Sequence, residues 1–349
     1  MAAGSYKETF QRFLDFLDRR PRGETMPALI VDSPWLPGYG GVDAMDFFFD
    51  PCVWLAVYEW VLEDLPGTVF LPGAWIEFGM AAEPSGWACR VQWNHEGPPG
   101  IHPFPGGLEG LLQAPDPDPE CDGLMPLILR RYQSLAPRLA EMDFSPRVAA
   151  ARGPLAVASH LLGVTEFLLS LKTEPEKTHL LLEKTTRLCV RWLQAQLERM
   201  EDPAGVFVLD DLVGLMSPRD AEAFAIPYVK EVFQSFPGKL RIFHNDTPNE
   251  KVFPLLAPLD LDVFNFSHET TLERARELLG PKVVLMGNLP PLDLLARGNP
   301  GEVAEETRKL LDRIGEAGPV LLSVGGGVSP GTPIENLQAM LETLEKWSG

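Results

Sequence analysis

Cysteine is scarce and scattered in this chain of 349 residues. Cys52, Cys89, Cys121 and Cys189 lie far apart, with no C-x-x-C pair. That spacing excludes zinc-ribbon and thioredoxin-like signatures, and in a large chain it points to a reducing compartment. Long apolar runs are missing too. No stretch reaches the roughly 18 residues of a membrane span. The N-terminus, Met1-Ala-Ala-Gly-Ser-Tyr-Lys-Glu, lacks the basic-then-apolar order of a signal peptide, so a cytoplasmic location is expected. Positive charge is in deficit, with 30 Lys and Arg against 49 Asp and Glu and a net charge of −19. Such a surface repels nucleic acid and anionic membranes, and neither is an expected partner. There is no G-x-S-x-G elbow, no H-E-x-x-H helix and no P-loop. Metal-assisted chemistry and carboxylate acid/base chemistry acting on a small molecule are the classes left.

What is present is strand, loop and helix in repeated order. The apolar periodicity predicts a helix over Tyr6–Arg19. Short apolar runs predict strands over Met26–Asp32, Thr68–Leu71, Arg147–Arg152, Gly205–Leu209, Leu240–Phe243, Leu261–Phe264, Lys282–Met286 and Pro319–Leu322. Helical patterns cover Phe47–Glu63, Leu124–Leu139, Leu155–Leu169, Pro175–Met200, a segment from Ser217-Pro218, Thr271–Leu279 and Pro300–Ile314. Thr332-Pro-Ile-Glu335 reads as a capping box that opens a C-terminal helix. Trp87–Trp93 suggests a small hairpin strand, and Gly97–Glu120, dense in Pro, Gly and Asp, an irregular surface loop. Eight strand units of this kind predict an α/β fold. It is a closed (β/α)8 TIM barrel formed by residues 1–349 as a single domain, with N-terminal helical and loop extensions.

In such barrels chemistry sits at the C-terminal strand ends. Here those ends carry Asp210, Asp211, His244, Asp246, Asn265, His268, Asn288 and Ser323. Any one of them is by itself an ordinary turn or cap residue, but polar residues at five successive strand ends point to a functional cleft. His244 and Asp246, one residue apart, can approach one cation if the backbone turns there. Asp210, Asp211 and Asn288 are candidates for acid/base or hydrogen-bonding work. So is Glu77, which follows Trp75 in a segment bounded by Gly73 and Pro84. The loop Ser33-Pro-Trp35-Leu-Pro-Gly-Tyr-Gly-Gly41 has the composition of a pocket wall. Gly325-Gly326-Gly327, ahead of a helix, can bring backbone N–H groups to an anion.

The segments Ile-Phe-His244-Asn-Asp246, Phe264-Asn265-Phe266, Val284-Leu-Met-Gly287-Asn288-Leu-Pro-Pro and Gly-Gly326-Gly-Val-Ser-Pro-Gly-Thr332-Pro-Ile-Glu-Asn336 resemble the uroporphyrinogen decarboxylase superfamily. The resemblance is most specific over residues 205–345 and visible in Trp75–Pro84. It implies a (β/α)8 barrel, and either a decarboxylase or a corrinoid-linked methyltransferase of the coenzyme M or O-demethylase kind. The arginine-rich N-terminal segment by which the decarboxylases grip their substrate's carboxylates is not found around Arg20 and Arg22. The coenzyme M methyltransferases bind zinc through a histidine, a cysteine two residues on, and a second cysteine in a glycine-rich loop. Here those positions are His244, Asp246 and Gly326. Zinc on His244 with carboxylates (Asp246, and Asp210 or Asp211) is the expectation that follows. The corrinoid would arrive on a separate protein, since there is no D-x-H-x-x-G. The substrate-facing candidates are Trp35, Trp75, Arg152, Asn265, Ser323 and Gly326, with Phe78 and Trp87 as further apolar lining. The expected activity is methyl transfer from a methyl ether or methylamine to a partner's cobalamin. The alternatives are a metal-free uroporphyrinogen decarboxylase (a lyase), with Arg90 or Arg152 on the carboxylates, and a non-catalytic corrinoid- or tetrapyrrole-binding barrel.

Overall fold

A computed structural model describes residues 5–348, so part of the N-terminal segment read for a targeting signal lies outside them. Eight parallel strands form the barrel: β1 (Ala28–Leu29), β2 (Val69–Phe70), β5 (Val148–Arg152), β6 (Gly205–Leu209), β7 (Leu240–Asn245), β8 (Val263–Phe266), β9 (Val284–Leu289) and β10 (Val320–Val324). The six from β5 to β10 pair in sequence order. β1 pairs with β2, and a bridge from Pro27 to Leu322 joins this pair to β10. The hairpin β3 (Val91–Gln92) and β4 (Gly100–Ile101) lies outside the ring.

Among the described residues no ladder joins β2 to β5. The free edge of β5 is satisfied by side chains instead. Gln196 accepts from Ala150 N–H and donates to Ala150 O, and Glu83 Oε1 accepts from Arg152 N–H at 2.9 Å. This accounts for two polar residues in the interior, Gln196 and Glu83, because a buried backbone group left unpaired is strongly unfavourable.

Alternation along each strand sorts the side chains into two layers. Ala28, Ile30, Val69, Leu71, Val148, Ala150, Phe207, Leu209, Ile242, Val263, Val284, Met286 and Leu321 fill the interior. Their neighbours in sequence pack outward against the helices. The helix Tyr6–Arg19 is where the periodicity predicts it. Ser5 and Glu8 form a capping box at its start. Its buried face, Phe10, Phe13, Phe16 and Leu17, joins the interior cluster and floors the barrel.

Four details differ from the sequence expectations. The Leu155–Leu169 helix is two helices, Pro154–Leu162 and Val164–Thr173, turning by 103° at Gly163, whose φ of +87° suits glycine. The 97–120 segment is only partly irregular, since it holds β4 and a helix Gly107–Gln113. β7 runs on through His244 and Asn245, so the histidine is in the ladder rather than beyond it. The last helix opens at Ile334, which leaves Thr332 outside the cap, its hydroxyl donating to Ser329 O. No single helix among the described residues is long and apolar enough to cross a membrane.

Candidate metal centre at the mouth of the barrel

The inward layer continues past the hydrophobic residues to the C-terminal strand ends. Counting in twos from Ala28 and Ile30 reaches Asp32; from Val148 and Ala150, Arg152; from Phe207 and Leu209, Asp211; from Ile242, His244 and Asp246. These five residues line one cleft of about 260 Å³, together with Ile30, Pro34, Gly79, Met80, Pro98, Pro99, Leu209 and residues 327–330.

Asp211, His244 and Asp246 converge, with one ligand atom from each within 4.8 Å of the others. His244 Nε2 stands 3.5 Å from Asp211 Oδ1. Two ligands on one tetrahedral zinc, with bonds of 2.0–2.1 Å, are separated by roughly 3.3 Å. The other face of the imidazole is fixed. Asn265, fully buried, donates its amide N–H groups to Met286 O and Val324 O, which leaves Oδ1 to accept from His244 Nδ1–H at 2.7 Å. In the neutral ring Nε2 then carries the lone pair, and it stands beside the two carboxylates. A neutral imidazole with its second nitrogen held this way is the usual arrangement of a metal-ligating histidine. Desolvation, with the Asp211 carboxylate beside it, pushes the Asp246 carboxyl up, and His244 opposes this. A cation would relieve that crowding, so the donor set fits a divalent metal such as zinc. Asn265→Ala is expected to weaken zinc binding about 10- to 100-fold, read by competition with a fluorescent chelator. Equal affinities would show that Asn265 does not orient the ligand.

Gly326 sits against this centre. At its φ of +126°, a Cβ would stand 2.8 Å from Asp246 Oδ2. A side chain at position 326 would thus face Asp246 and crowd the cluster.

Asp32 was not singled out from sequence, although its even-numbered place on the first strand marks it as inward-facing. Burial pushes its carboxyl up to about 7, with Glu77 adding and Arg152 and His244 opposing. A raised carboxyl makes the folded state less stable as pH rises from the ordinary value near 3.8 toward 7. In metal-free protein, Asp32→Asn should therefore gain in Tm over the parent between pH 4.5 and 7.5, and hold that gain above. A difference independent of pH would show that Asp32 ionises as it does in the unfolded chain.

Other candidates occupy different places. Asp210 faces outward, as alternation requires, and its Oδ2 accepts from Leu155 N–H at 2.9 Å at the start of the helix Pro154–Leu162. Burial pushes its carboxyl well above the usual range. Glu77 accepts from the Ser33 and Gly79 N–H groups and so ties the loops after β1 and β2 together. Asn288 donates to Thr270 O at 2.6 Å. Ser323 Oγ is buried without a hydrogen-bond partner among the described residues. Trp75 lies in the interior cluster beneath Arg152, whose guanidinium carbon is 5.3 Å from its ring. Trp35 donates to Thr332 O, stacks on Tyr39 and lines a separate surface groove of about 560 Å³. Phe78 and Trp87 are buried in the outer core. The cleft wall is thus aliphatic and proline-rich rather than aromatic, because these rings pack in the core or line the other groove.

Comparison with known proteins agrees with this architecture. The chain is 31% identical over 208 residues to a uroporphyrinogen decarboxylase of Thermus thermophilus, covering 58% of this chain and 60% of that protein. It is 25% identical over 273 residues to a methylated-thiol–coenzyme M methyltransferase of Methanosarcina mazei, covering 77% of this chain and 71% of that one. A solved methyltransferase from Methanosarcina mazei superposes over 97% of this chain and 98% of its own, with a TM-score of 0.80 at 19% identity. That is the same (β/α)8 fold. The family model described as uroporphyrinogen decarboxylase (URO-D) matches residues 71–347, and the chain belongs to that family.

Proposed function

We propose that this protein is a corrinoid-linked methyltransferase, taking a methyl group from a small methyl ether or methylamine and passing it to a cobalamin carried by a partner protein. The observation that carries this reading is the set Asp211, His244 and Asp246, with His244 Nε2 beside both carboxylates. Methyl transfer of this kind breaks a carbon–heteroatom bond and leaves the electron pair on the heteroatom. A zinc ion on the three ligands would supply a Lewis acid for that heteroatom. The chain's own residues do the rest. Asn265 holds the His244 tautomer. Asp32, a carboxyl of the same cleft, is the group that gives the departing heteroatom a proton. Glu77, Asp210 and Asn288 keep the loops around the cleft in place.

The cleft argues against uroporphyrinogen as substrate. Its volume of about 260 Å³ is below the roughly 300–1,000 Å³ of sites for drug-sized ligands. A tetrapyrrole with many carboxylates is larger still, and three aspartates face it here against one arginine. The test is to incubate zinc-loaded protein with free cob(I)alamin and a panel of methyl ethers and methylamines, and to follow methylcobalamin by absorbance. Failure of every donor, with turnover of uroporphyrinogen by the same protein, would reverse the assignment.

A further inference from the structure

We infer that Arg152 is a carboxylate anchor, and that the methyl donor is a small acid bearing its methylated heteroatom a few bonds from one carboxylate. The anchor stands on the cleft's geometry alone, whereas the term methyl donor rests on the function proposed above. Arg152 ends β5 on its inward face and is only 8% exposed. Among the described residues its guanidinium makes no hydrogen bond, and no ion pair joins it to Asp32 or Glu83. Its main-chain N–H does bond Glu83.

A guanidinium buried this far ordinarily finds acceptors for its donors, because leaving a charge unpaired out of water is strongly unfavourable. The same molecule shows the usual outcome. Arg276, also largely withdrawn from water, spends its donors on the carbonyls of Ala317, Gly280, Val283 and Pro319. Arg131 donates to Phe48 O. Arg152 instead lies over the Trp75 ring, its guanidinium carbon 5.3 Å from the ring centroid, and lines the cleft with its donors unspent. A planar fork held this way suits a carboxylate, which it binds through two parallel hydrogen bonds.

The register sets the length of the ligand. Arg152 pairs with Leu209, and Leu209 with His244, so the anchor and the metal ligand sit at one level of the barrel, two strands apart. That is about 10 Å between backbones, less once both side chains reach inward. The cleft, about 260 Å³, is the size of a site for a small molecule. Methoxyacetate and 3-methoxypropionate are small enough to fit, with a carboxylate at one end and a methylated oxygen at the other.

Binding to zinc-free protein isolates the anchor from the metal. By calorimetry, methoxyacetate or 3-methoxypropionate should bind the parent at least about tenfold more tightly than the matching neutral amide, the margin expected for hydrogen bonds to a charged group. Arg152→Gln should erase the preference, and Arg152→Lys, which keeps a charge without the fork, should retain part of it. Equal binding of acid and amide, a preference that survives Arg152→Gln, or no binding of either acid overturns the inference. The comparison within the parent needs no variant to fold. If the preference holds but no donor transfers a methyl group, the anchor stands and the methyltransferase reading is the one lost.

Discussion

His244→Ala protein, purified without a histidine tag or chelator, is expected to carry no zinc, where the parent carries about one ion per chain by elemental mass spectrometry. The substitution removes the one nitrogen donor of a three-residue site. It leaves Asp211 and Asp246 as oxygen ligands on the mouth of the cleft, and two such carboxylates favour calcium or magnesium over zinc. His244 also sits in the ladder between β6 and β8, and alanine keeps those main-chain bonds. The variant should therefore fold and fail to bind. Methyl transfer should fall to background with the metal. Asp246→Cys makes the opposite test: it exchanges a carboxylate for a thiolate, a donor that zinc takes readily, and zinc should stay. A His244→Ala protein that keeps a full complement of zinc would remove this centre, and a parent that stays metal-free after zinc is supplied would do the same.

The ring of strands was legible because buried parallel strands read as short apolar runs, and each run ends at Gly, Pro or a polar residue. The candidate metal ligands were legible in part. His244 and Asp246 stand out by type and spacing. Choosing between Asp210 and Asp211 needed only parity, since Phe207 and Leu209 face the interior with Asp211 while Asp210 faces the helices. The same count finds Asp32. Not legible was the service of Gln196 and Glu83 to the open edge of β5, because no local pattern says that β2 and β5 fail to pair. The aromatic loop residues misled for a related reason. Trp35 and Trp75 have the composition of pocket lining, but tertiary packing took one to a second groove and the other beneath Arg152. Pro98 and Pro99, from a stretch that reads as irregular, form part of the cleft wall instead.

Phe13→Ala is expected to destabilise the protein by about 3–5 kcal/mol in denaturant unfolding, the range for a buried aromatic truncated in a well-packed core. Phe13 is fully buried in the interior cluster, and its ring is 5.5 Å from that of Phe10. The helix that carries it precedes the first strand, so its periodicity predicts an amphipathic surface helix and no more. In the fold that apolar face closes one end of the barrel, where Phe10, Phe13, Phe16 and Leu17 meet inward residues of the strands. The deleted ring leaves a cavity bounded by strands that cannot collapse without breaking their ladders, which puts the expected loss toward the upper part of the range. Gln11→Ala, on the exposed face of the same helix, should change stability by less than about 0.5 kcal/mol. In (β/α)8 barrels the N-terminal face serves stability and the C-terminal face chemistry. Folded Phe13→Ala protein should accordingly bind zinc as the parent does, while His244→Ala should unfold near the parent's midpoint and bind none. A Phe13→Ala protein as stable as the parent would mean that the helix lies on the barrel without flooring it.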